Sequence, residues 1–161
     1  EQITTIPHFF GSPSLDKKTA LVLFLGFEPE RALTIWKQLN PARTTALITN
    51  PPRHGNADYL KYARQNNANL LSQPSVELRD VPADNPLAVK DVLEAIYEET
   101  KDSYNMVIGP FGTKSQVVGV FLFHLEQRKA QVIYSYPATY TRSYLRRQPG
   151  QTLLLPIAPE V

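Results

Sequence analysis

Continuous apolar runs and apolar stripes at helical spacing alternate along this chain of 161 residues. Thr19-Ala-Leu-Val-Leu-Phe-Leu-Gly26 is apolar throughout and ends in glycine, the pattern of a strand covered on both faces. Pro29 then stands where the first turn of a helix tolerates proline, and Ala32, Leu33, Trp36 and Leu39 form one stripe. Residues 44–49 read as a second strand. Asn56–Leu71 reads as a helix with Tyr59, Leu60 and Ala63 inward, and Val76–Val81 as a shorter alternating strand. Pro86 can begin a third helix, on which Val89, Val92, Leu93, Ile96 and Tyr97 recur at helical spacing. Tyr104–Ile108 is the fourth strand, Lys114–Arg128 the fourth helix and Gln131–Tyr136 the fifth strand.

A strand–helix unit repeated four times and closed by a strand predicts an α/β fold: a Rossmann-like, open, mostly parallel sheet of five to six strands with helices on both faces. Residues 1–18 are expected to be an irregular leader that packs its aromatics on the body, and residues 19–161 a single ligand-sensing domain. Gln151–Ile157 is expected to add a final strand at a sheet edge.

Composition narrows the function classes. Hydrophobic residues at 42% and charged residues at 20% are ordinary globular values, and the length supports one well-buried core. A net charge of +2 tolerates an anionic ligand but lacks the excess of a duplex-binding surface. Without cysteine there is no disulfide, thiolate chemistry or cysteine-held zinc, which fits a cytoplasmic protein. The longest apolar runs, Leu21–Phe27 and Val117–Phe123, are far below the roughly 20 residues that span a bilayer, so no membrane is expected as partner. The first residue is Glu1 rather than methionine, as in a piece of a longer protein whose output domain lies elsewhere.

Ligands of open parallel sheets bind outside the carboxyl ends of the strands where the strand order reverses, here between the first and fourth strands. The first strand delivers Gly26, Phe27 and Glu28, the second Arg53 and His54, the fourth Gly109 through Gln116, and the fifth Tyr136. The segment Gly109-Pro-Phe-Gly-Thr-Lys-Ser115 stands out, because a glycine-bracketed turn opening an apolar helix can hold an anion. Gly109 and Gly112 allow backbone angles that a Cβ would obstruct. Thr113 and Ser115 can cap the helix, whose first N–H groups carry the positive end of the dipole, and Lys114 adds an ammonium. The same residues also suit a tight turn with an exposed lysine. Phe27 and Phe111 can stack on a base or lid their own helices, Arg53 can meet phosphate or solvent, and Glu28 suits a first-turn dipole partner. The segment Tyr136–Arg147 can grip nucleotides or simply dock on the sheet edge.

Sharper motifs fall away. Lys114 is one position late for a nucleotide-hydrolysing P-loop and follows the wrong strand. The first strand ends in Gly-Phe-Glu-Pro rather than G-x-G-x-x-G, which excludes a standard dinucleotide site. Asn50-Pro51-Pro52 lacks the aromatic and the glycine-rich loop of an amino-methyltransferase. His8, His54 and His124 have no metal spacing, His124 reads as a core or boundary residue, and no nucleophile elbow occurs. No cofactor or metal and no catalytic residue is assigned.

The apolar strand Met106–Ile108 followed by Gly112-Thr113-Lys114 and a helix, together with the first-strand tip at Gly26–Glu28, resembles the CRISPR-associated Rossmann fold (CARF) sensor family. The resemblance covers about residues 19–136 through a three-residue motif. It implies a pocket for a cyclic oligoadenylate or related nucleotide messenger, a homodimer, and control of an appended effector in antiviral defence. Gly109-Pro110-Phe111 departs from the family, where small polar residues or glycine are commoner, and leaves ligand size open. Two other readings stand beside the sensor: a slow phosphodiesterase in the same cleft, using Lys114, Ser115 and His54, and an interaction domain whose pocket is filled by Phe111 and Phe27.

Overall fold

The computed structural model describes residues 2–26, 28–50, 58–136 and 154–155. The strands are β1 (Gln2–Thr5), β2 (Lys18–Leu25), β3 (Arg43–Asn50), β4 (Val76–Pro82), β5 (Tyr104–Pro110) and β6 (Gln131–Tyr136). The helices are α1 (Pro29–Leu39), α2 (Asp58–Asn66), α3 (Ala68–Leu71), α4 (Pro86–Thr100) and α5 (Lys114–Gln127). One six-stranded sheet has the order β1-β6-β5-β2-β3-β4, parallel throughout except for β1, which runs antiparallel to β6.

The apolar run of β2 is the sheet's centre, and its alternation divides the core. Val22 and Phe24 join Leu47, Met106, Ile108 and Val132 beneath α4 and α5, whose Val89, Leu93, Val120 and Phe123 fill that side. Leu21, Leu23 and Leu25 join Ala46, Val107 and Ile133 beneath Ala32 and Ile35 of α1 and Leu70 of α3. A strand covered on both faces has no solvent side to alternate toward, so it reads as continuously apolar. The predicted α/β class, the parallel sheet and the helices on both faces are present. The order places the reversal between β2 and β5, pairing Leu23 with Gly109 and Phe24 with Pro110 at their carboxyl ends.

Two expectations are corrected. The leader is not wholly irregular: Gln2–Thr5 is the antiparallel edge strand, with Gln2 opposite Tyr136 and Thr5 opposite Ile133. Its aromatics do pack on the body, Phe9 lying 4.3 Å from His124 and 6.3 Å from Phe121 between ring centroids. The continuous helix expected through Leu71 is interrupted at Asn67. There the side-chain amide donates to the Ala63 carbonyl (2.8 Å) and to the Gly26 carbonyl (3.3 Å), so local side-chain bonding competes with the helical ladder. Of the strand expected over 151–157, only Leu154 and Leu155 fall among the described residues, and neither is in a strand.

Candidate functional site

β5 ends at Pro110, and the chain reverses into α5 within three residues, Phe111, Gly112 and Thr113. The Phe111 N–H donates to the Gly109 carbonyl at 3.1 Å, which tightens the turn. Thr113 caps α5 through a reciprocal pair of bonds: its hydroxyl accepts from the Gln116 N–H (3.2 Å), and its own N–H donates to Gln116 Oε1 (2.8 Å). The Thr113 hydroxyl also donates to the Ala83 carbonyl. Gln116 is fully buried, and its Nε2 donates to the Pro82 carbonyl (2.8 Å) and lies 3.3 Å from the Thr49 hydroxyl. This side chain therefore ties the carboxyl ends of β3 and β4 to the start of α5. Sequence reasoning passed over it, although Thr113-x-x-Gln116 carries the capping-box spacing.

The glycines serve a different purpose from the expected one. Gly11, at φ +66°, is the glycine of the described residues in the left-handed region, and Gly26, Gly109 and Gly112 are not there. They provide room. A Cβ on Gly26 would lie 2.4 Å from the Phe111 carbonyl oxygen, one on Gly109 2.8 Å from both Leu23 and the Phe111 ring, and one on Gly112 1.9 Å from Gln116 Oε1. The tips of β2 and β5 are consequently pressed together.

Phe111 is half-buried, its ring folded over Gly109 and 6.0 Å from Tyr134, so it fills the body rather than standing free for a base. Tyr136 is exposed at the end of β6 with its ring 5.3 Å from Tyr134. Glu28 precedes α1 and pairs with Arg31 at 2.9 Å, as a first-turn partner does. Phe27, Arg53 and His54, and the segment after Tyr136 through Arg147, lie outside the described residues. His124 is buried under Phe9, and no metal-holding cluster of acidic, histidine or cysteine side chains occurs among the described residues.

Lys114 is exposed and makes no ion pair or hydrogen bond among the described residues, and the half-buried Ser115 hydroxyl is likewise without a partner there. The first N–H groups of a helix have no intrahelical acceptor, so those of Lys114 and Ser115 point outward beside the ammonium. These residues line a cavity of about 370 Å³ whose other walls are Asp84, Asn85, Pro86, Val118, Leu154 and Leu155. Asn85 caps α4, its Oδ1 accepting from the Ala88 N–H at 3.1 Å. Two capped helix starts thus face one cavity. It opens on the α4–α5 side of the sheet, beside the end of β4, and not in the notch between β2 and β5. Of the predicted site residues that are described, Lys114 and Ser115 line it, whereas Gly26, Glu28, Gly109, Phe111, Gly112, Thr113 and Tyr136 do not.

No protein-family model matches the chain, and no curated protein matches its sequence. Among solved structures it is similar to Can2 from Sulfobacillus thermosulfidooxidans, determined in complex with cyclic tetra-adenylate, at 18% identity and a TM-score of 0.55. The likeness covers 72% of this chain and 31% of Can2. At that identity the likeness is one of fold, and it is a Rossmann-like fold as the sequence pattern predicted. No helix among the described residues is long and apolar enough to cross a membrane.

Proposed function

We propose that this chain is a sensor domain that binds a phosphate-bearing nucleotide signal, of the cyclic oligonucleotide class, at the start of α5. The observation that carries the reading is the Lys114 ammonium, unpaired among the described residues, beside the outward N–H groups of α5, on the wall of a cavity at the carboxyl end of the sheet. Helix N-termini attract phosphate through their donors and dipole, and a lysine adds a full charge in the same place. Ser115 supplies a hydroxyl, and the Asp84 carboxylate, which lines the same cavity, accepts from a ribose hydroxyl or an exocyclic amine. Pro86, Val118 and Leu155 give the apolar surface that a base requires. The likeness to a cyclic tetra-adenylate complex and the CARF-like Gly-Thr-Lys turn support the same ligand class.

In this reading Thr113 and Gln116 are not ligand groups but hold the turn so that Lys114 and Ser115 project. The chain matches about a third of Can2, and control of an appended effector follows as part of the proposal, with the domain acting as a homodimer. Calorimetric titration with cyclic oligoadenylates tests it. Saturable binding to the unaltered chain is expected, weakened at least tenfold in Lys114→Ala. Chromatography of the same mixtures separates the sensor, which returns its ligand intact, from a phosphodiesterase.

A further inference from the structure

A second cavity, of about 170 Å³, lies on the α1–α3 face of the sheet, opposite the face that carries Lys114. Pro29, Leu33 and Leu70 form its apolar walls, and Glu30 with Asn66, Asn67 and Asn69 its polar ones. Asn67 is only 2% exposed, and its Oδ1 has no hydrogen-bond partner among the described residues. The amide cannot turn over to mend this. Its Nδ2 donates to the Ala63 and Gly26 carbonyls, and an oxygen in that place would face two other oxygens. A buried acceptor without a donor is costly, so one that lines a cavity marks a place for a molecule that donates.

The rest of the lining says what kind of donor. Glu30 is exposed and makes no ion pair among the described residues, so its carboxylate is a second free acceptor. The side-chain amides of Asn66 and Asn69 can present either an oxygen or an N–H. No lysine or arginine lines the cavity, so nothing there neutralises an anion. The first turn of α1 brings the positive end of a dipole, which Glu30 in that turn offsets, and the end of α2 at Asn66 adds negative partial charge. We infer that this cavity binds a small organic cation, a primary alkylammonium such as a diamine. Its N–H donors meet Asn67 Oδ1 and the Glu30 carboxylate, and its methylenes lie on Leu33, Leu70 and Pro29. The site lies on the other face of the sheet from the nucleotide reading and does not rest on it.

Titration of the unaltered chain with putrescine and with n-butylamine at constant ionic strength tests the site. Each should raise the melting temperature saturably, as a ligand of the folded state alone does. Nuclear magnetic resonance should show the amide signals of Leu33 and Asn69 moving and that of Ser115 unmoved. The neutral n-butanol, with the same carbon chain, should bind about tenfold more weakly or worse, and butyrate should not bind. Glu30→Gln should weaken n-butylamine about three- to fivefold, as for a pair open to solvent. Asn67→Leu should weaken it about tenfold or more. Asp91→Asn, which removes an exposed carboxylate on α4, should leave the affinity unchanged and so separates the site from general attraction to acidic surface. Should Asn67→Leu fail to fold, Glu30→Gln and the comparison with n-butanol decide the matter. Absence of saturable amine binding, equal affinity for n-butanol, or unchanged affinity in Glu30→Gln overturns the inference.

Discussion

Gln116 shows what a single side chain contributes to the architecture of the site. Its amide, itself fully buried, satisfies the Thr113 N–H and the Pro82 carbonyl and reaches the buried Thr49 hydroxyl. Replacement by alanine leaves buried donors and acceptors without partners and should lower stability by about 2–4 kcal/mol in urea unfolding. Thr113 was legible as a cap from its place before an apolar helix, while Gln116's share in the cap was passed over although the three-residue spacing is a local signal. Its bonds to Pro82 and Thr49 were not legible, because they depend on which strands end beside one another. The glycines give the same lesson. Their presence pointed to a turn, but the reason for them, the approach of Gly26 to the Phe111 carbonyl and of Gly112 to Gln116, exists only once β2, β5 and α5 are assembled.

At the scale of elements, α4 and α5 place the cavity, and Gly119 sets how closely they meet. A Cβ there would lie 2.6 Å from the Val89 side chain and 2.7 Å from the Pro86 carbonyl oxygen. Gly119→Ala must push the helices apart at their starts. A loss of about 1–3 kcal/mol is expected despite the better helix propensity of alanine, and thermal denaturation measures it. Elements with strong periodicity were readable: β2, β3 and α5 to within a residue at both ends, and α4 at its start. β1 was not, since Gln-Ile-Thr-Thr carries no burial pattern of its own and becomes a strand only by pairing with β6. The break at Asn67 escaped the pattern for a similar reason: one of its two acceptors, Gly26, comes from a distant strand tip.

Across the whole molecule, the charges at the far end of the sheet set the response to acid. Arg43, Glu77, Arg79 and Glu99 join β3, β4 and the end of α4 at N–O distances between 2.6 and 3.4 Å. Hydrogen bonds from Arg79, then Arg43, hold the Glu77 carboxyl below its ordinary value of 4.5, and Arg79 does the same for Glu99. A carboxyl whose folded value is lowered adds stability above its unfolded value and loses it as the pH falls through the folded one. The contribution is therefore complete at neutral pH and should disappear progressively below about pH 4.5. These groups are partly exposed, so each pair adds at most about 1 kcal/mol. Melting curves from pH 7 to 3 should show the loss, smaller in Arg79→Met.

The molecule's fold was legible because its hydrophobic code is simple, and the site was legible in part because Lys114 and Ser115 sit on a local turn. The cavity's position beside Asp84–Pro86 was not, since α4 starts 28 residues before α5 and meets it only in the fold. The central claim is that the start of α5 is a nucleotide-phosphate site. Calorimetric titration of cyclic tetra-adenylate into the unaltered chain and into Lys114→Ala tests it most directly. Saturable binding that weakens at least tenfold in the variant is expected. Absence of binding by any cyclic oligoadenylate, or equal affinity in the two proteins, would contradict it.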